Sequence, residues 1–111
     1  MAGAILVSRG NGISMGGPAF RYMIEAIRAQ MLASQGARYI PSIYFGHDES
    51  ASDFISIVEQ EANGFNWFYD AVLAASVASA GEGPEFFDLW NELLDLLRAD
   101  PRWDGPLPID T

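Results

Sequence analysis

The sequence predicts an α+β fold. It reads as one mostly helical domain over residues 1–111, with about four helices around a central apolar helix at 65–80 and a small two-stranded sheet at 4–8 and 38–45. Three observations carry this. The stretch FNWFYDAVLAASVASA at 65–80 is interrupted only by Asn66, Asp70, Ser76 and Ser79. A helix without a solvated stripe is expected to be buried. Apolar residues recur at helical spacing in 19–34 and 85–99, and β-branched and aromatic residues cluster in AILVS and RYIPSIYF. The alternative is an all-α bundle in which those two runs are merely extended. Half of the residues are hydrophobic and 13% aromatic, so the chain can bury a core and is not disordered.

The elements follow in order. Residues 4–8 read as a buried strand. GNGISMGG, at 10–17, has four glycines and reads as a loop. Pro18 suits a first helical position. In the helix that follows, Phe20, Met23, Ile24, Ile27 and Met31 share one face, and Arg21, Glu25 and Arg28 the other. Gly36 ends it. Pro41 marks 38–45 as an edge strand or bulge. Ser50 caps a helix over 51–62 with Phe54, Ile55, Ile57 and Val58 inward, and Asn63-Gly64 stops it. The central helix runs to Gly81, and Gly83-Pro84 opens the last helix, 85–99. Residues 102–111 form a Pro-containing tail, with Trp103 pinned on the body.

Composition excludes several chemistries. No cysteine is present, which removes disulfides, thiolate metal sites and cysteine nucleophiles. Lysine is also missing, and with it Schiff-base chemistry and a P-loop lysine. One histidine, His47, excludes a site needing two imidazoles. Fifteen acidic residues face six arginines, at 9, 21, 28, 38, 98 and 102, for a formal charge of −9. That balance disfavours phosphate backbones and anionic membranes and favours a basic protein partner. The N-terminal apolar run lacks a basic region and breaks at Ser8-Arg9, and no run is long enough to span a bilayer, so a soluble, cytoplasmic protein is expected.

Few residue groups suggest chemistry. The glycine-rich segment lies where phosphate loops occur, but Gly10, Gly12 and Gly16 do not give the dinucleotide spacing. His47, Asp48 and Glu49, with Asp53 nearby, are the one meeting of imidazole and carboxylates, read mainly as a polar turn and alternatively as the centre of a small enzyme. Ser14 and Ser42 lack a nucleophile elbow. Asp70 and Glu61 are the acids expected to be partly buried, with Asp70 in the first turn of the central helix. No catalytic, cofactor or metal residue is assigned.

The pattern that points to a partner is Glu85, Asp88, Glu92 and Asp95, spaced 3, 4 and 3 along the last helix. Such spacing keeps four carboxylates on one side, with only Arg98 and Arg102 near enough to offset them. A row of negative charge can occupy a basic groove, and Trp103 supplies an aromatic anchor beside it. The expected function is that of a non-catalytic acidic binding protein that neutralises a basic, nucleic-acid-processing partner. An immunity protein against a toxic nuclease and a phage-encoded, anti-CRISPR-like inhibitor both fit. No direct contact with nucleic acid or membrane is expected. The runner-up is an assembly or adaptor protein, homodimeric through the apolar face of 85–99.

Overall fold

The computed structural model describes residues 2–50, 53–81 and 83–103, with the side chains of 2, 50 and 85 outside the description. Strand β1, Ala2–Ser8, turns at Arg9-Gly10 into the antiparallel strand β2, Asn11–Gly16. Gly10 has φ +78°, the left-handed backbone a two-residue hairpin turn demands. Strand β3, Phe54–Ser56, lies parallel on the other side of β1, giving the order β2-β1-β3. Ile5 stands opposite both Ile13 and Ile55, so one sheet face presents Ile5, Val7, Ile13, Met15 and Ile55 to the core. Gly12 and Ser14 alternate onto the exposed face.

Helix α1, Gly17–Leu32, begins with Pro18 in its first turn and buries the predicted face of Phe20, Met23, Ile24, Ile27 and Met31. A 3₁₀ turn, Gln35–Tyr39, follows, its Ser34 cap accepting from the Gly36 amide. Then come α2 (Ile40–Ile43), α3 (Phe45–Ser50), α4 (Ala62–Ala78) and α5 (Pro84–Arg98). The mixed α+β class stands, with five α-helices and one three-stranded sheet among the described residues.

Several elements differ from the sequence reading. Residues 38–45 are helical rather than a strand. Pro41 sits in the first turn of α2, where a missing N–H costs nothing, and Tyr44 N–H closes the turn on Ile40 O at 2.8 Å. Of the apolar residues that suggested a strand, Ile43 and Tyr44 are fully enclosed while Phe45 stays exposed. The sheet's other members come from segments read as loop and helix. In 11–16 the glycines mask a strict alternation, Ile13 and Met15 inward and Ser14 outward. In the expected helix 51–62, Ile55 and Ile57 are buried while Phe54 and Ser56 are half-buried, a period of two. Residues 51 and 52, the start of that expected helix, lie outside the described residues.

Gly64 does not stop a helix. It lies inside the first turn of α4, where an added Cβ would come within 3.0 Å of the Tyr39 ring. Nor is α4 buried all round: Leu73 is 38% and Val77 70% exposed. α1 packs on β1, β2 and α4, so it shares the centre expected of 65–80 alone. α5 packs on α4 and reaches β2. Among the described residues, no helix is long and apolar enough to cross a membrane.

Candidate partner-binding surface

α5 starts after Gly83, where Pro84 takes an opening position, and ends with Arg98 in the last turn, where a cation suits the helix dipole. Trp90, Leu93, Leu94 and Leu97 are buried, while Phe86, Leu89 and Leu96 pack half-buried around them. Most of the apolar face of 85–99 is therefore filled by the domain's own core, with Phe87 left outside it. The physical reason is that α4, α1 and the sheet together provide enough apolar surface to cover it.

The remaining arc of α5 is exposed. At about 100° per residue, Phe87, Asn91, Asp95, Asp88 and Glu92 succeed one another around the axis. Asp88, Glu92 and Asp95 all reach solvent, and none is in a salt bridge among the described residues. The predicted row is thus brought together on one surface, apart from Glu85, whose side chain lies outside the description. Neighbouring like charges at this spacing cost the helix a few tenths of a kcal/mol per pair.

Neither arginine expected to offset the row is simply available to it. Arg98 donates from Nε to the Tyr69 hydroxyl at 2.9 Å, tying α5 to α4. Arg102 turns inward. It donates to the backbone carbonyls of Ile57 (2.8 Å), Gln60 (2.7 Å) and Val7 (2.8 Å) and pairs with Asp100 at 2.9 Å. Hydrogen bonding from Arg102 lowers the pKa of its carboxylate partner. No local sequence signal announces this role, because its acceptors are backbone groups 42 to 95 residues away.

Trp103 is half-buried and packs at a tilt against Tyr69, ring centroids 5.5 Å apart. It therefore sits at the Arg98 end of the row, lining a cleft of about 330 Å³ with Trp67 and Asp70. Asp70 is in the middle of α4 rather than its first turn, so the dipole role assigned to it does not apply. Its carboxyl is raised by desolvation although it lies on the exposed side. Glu61, expected to be partly buried, is exposed.

The histidine cluster is divided among structural tasks. His47 packs edge-on against Phe20 at 5.9 Å, and Asp48 accepts two hydrogen bonds from Arg28. Among the described residues, no group of three or more histidines and carboxylates is placed to hold a metal ion. The glycine-rich segment, being a strand, is not a phosphate loop. Ser42 accepts from Gln60 at 2.8 Å.

Among the exposed apolar residues that sequence reasoning missed, two lie together. Phe87 is 66% exposed and, with Val77, lines a groove between α4 and α5. A signal for Phe87 existed, since the helical angle sets it beside Asn91 and Asp95 rather than inside the apolar arc.

No protein-family model matches this chain. It is 30% identical over 105 residues to the immunity protein CdiI of Burkholderia pseudomallei, an alignment covering 92% of this chain and 94% of the relative. Its fold matches a chain in the solved structure of the CdiA-CT toxin from Burkholderia pseudomallei E479 in complex with its cognate CdiI immunity protein. That match has a TM-score of 0.83 and 27% identity, over 90% of this chain and 97% of the other. The shared length, the sequence identity and the common α+β architecture show that the chain belongs to the CdiI immunity protein family, and that its function is inhibition by binding.

Proposed function

We propose that this protein neutralises a CdiA-CT-type toxin by direct contact, and that the exposed arc of α5 meets a basic surface on that toxin. The observation that carries the reading is the row Asp88, Glu92 and Asp95, in no salt bridge among the described residues, on a chain with a formal charge of −9. Charges left without intramolecular partners speed encounter with an oppositely charged surface and orient it before contact. A toxin that processes nucleic acid needs such a basic surface for its substrate, and covering it blocks the substrate without chemistry by the inhibitor. Glu85 extends the row, and Trp103 flanks its C-terminal end. Action against such an enzyme places the protein in the cytoplasm, where nucleic-acid substrates are.

The test is association kinetics with the cognate CdiA-CT domain as a function of salt. Reversing Glu85, Asp88, Glu92 and Asp95 together to arginine is expected to slow association at least tenfold at low ionic strength and to remove most of its salt dependence. Unchanged kinetics would reject the row as the contact.

A further inference from the structure

Beside the acidic arc runs the groove between α4 and α5, about 280 Å³, with Val77 and Ala80 on one wall and Phe87, Trp90 and Asn91 on the other. Val77 and Phe87 keep 70% and 66% of their surface in water. They are the most exposed large apolar side chains of α4 and α5 among the described residues. Trp90 is only 2% exposed, and its indole N–H finds no acceptor among the described residues.

Phe87 belongs to both features. It forms a wall of the groove and opens the exposed arc that continues through Asn91 to Asp95, Asp88 and Glu92. Apolar seat and negative row are therefore continuous, and a segment lying on one touches the other. An enclosed cavity of about 150 Å³ accommodates benzene, so this groove suits one large side chain, not a helix.

We propose that the groove seats a single large apolar side chain of the toxin, flanked in the toxin by arginine or lysine that meets Asp88, Glu92 and Asp95. This rests on the reading that α5 faces a basic toxin surface. It divides the labour of the contact. The carboxylates govern how fast the partners meet, and the desolvated apolar anchor governs how long they stay. Charge complementarity selects this occupant over a second copy of the chain, because two such copies would bring their acidic rows together.

The experiment measures association and dissociation rates with the cognate CdiA-CT domain for Val77→Asp and Phe87→Ala, alongside Asp88→Arg/Glu92→Arg/Asp95→Arg. Val77 and Phe87 are exposed and sit on different helices, so thermal melts should stay close to wild type and at least one variant remains informative. The expected result is a dissociation rate raised tenfold or more in each groove variant, with association within twofold of wild type. The charge variant should instead slow association. Wild-type dissociation in both groove variants overturns the groove; if the charge variant still slows association, the acidic reading survives alone. If no variant changes either rate, both readings fall. A dimer of the free protein by sedimentation, dissolved by Val77→Asp, would also overturn the proposal, since a second copy would then be the occupant.

Discussion

The guanidinium of Arg102 lies 4.5 Å from the centre of the Phe65 ring, clamped between that ring and the carbonyls of Val7, Ile57 and Gln60. One side chain near the end of the described chain thereby joins β1, the turn after β3 and the start of α4. Asn66 adds a bond to the Arg102 carbonyl at 2.8 Å, holding the same turn from the other side. The clamp fixes where the chain leaves α5, and so where Trp103 lands.

Arg102→Ala should destabilise the fold by about 2–3 kcal/mol, because it removes charged donors from three part-buried carbonyls. Arg102→Lys should recover less than half of that, since an ammonium cannot reproduce the planar fork. Urea unfolding checks both, and equal stability of the lysine variant and wild type would contradict the fork.

Two carboxylates should give opposite responses to pH. Hydrogen bonding from Arg102 lowers the Asp100 value in the folded state. The folded protein then binds fewer protons than the unfolded one, so the stabilisation is complete above about pH 4 and fades as pH falls through the lowered value. Desolvation raises Asp70. Its ionisation costs stability at neutral pH, and acidification through the raised value relieves the cost. Asp100→Asn should melt below wild type at pH 7, with the gap narrowing below pH 4. Asp70→Asn should melt above wild type at pH 7, with its advantage shrinking in acid. Thermal melts between pH 3 and 7 separate the two.

Tyr44 is fully buried, donates to the Ile24 carbonyl and carries the Arg28 guanidinium 4.3 Å from its ring centre. Burial drives its phenol far above the ordinary range. Tyr44→Phe should cost about 1 kcal/mol, and Tyr44→Ala about 3–5 kcal/mol through the cavity it leaves. In an alkaline absorbance titration, this phenol should stay protonated until the protein unfolds.

Neutralising Asp88, Glu92 and Asp95 to their amides should raise thermal stability slightly at low salt, by a few tenths of a kcal/mol per relieved pair. The same change should weaken toxin neutralisation in a growth-protection assay. Gain in one and loss in the other is the expected signature of charges retained for a partner at the expense of the fold. A loss of stability would point instead to an intramolecular role for the row.

Legibility in the sequence followed the length of the periodic signal. α1 and α5 each repeat their apolar residues over four turns; the buried face of α1 was readable residue by residue, and that of α5 apart from Phe87. Short segments were not. Three residues suffice for β3 and four for α2, and at that length an apolar run fits either period. Ile55 and Ile57 become a strand because β1 offers them a ladder, and Ile43 and Tyr44 become helical because Pro41 opens a turn there. The acidic row was visible as spacing, whereas the exposure of Val77 was hidden by neighbours that are just as apolar.

The sequence by itself determined an α+β domain without thiol or lysine chemistry, two amphipathic helices and a negative row on the second of them. These follow from residue types and spacings within one element. Tertiary structure alone decided which short segments pair as strands, that α1 shares the middle with α4, and that Arg102 turns away from the carboxylates to bind distant carbonyls. Each of those outcomes depends on groups far apart in the chain, whose meeting no local pattern encodes.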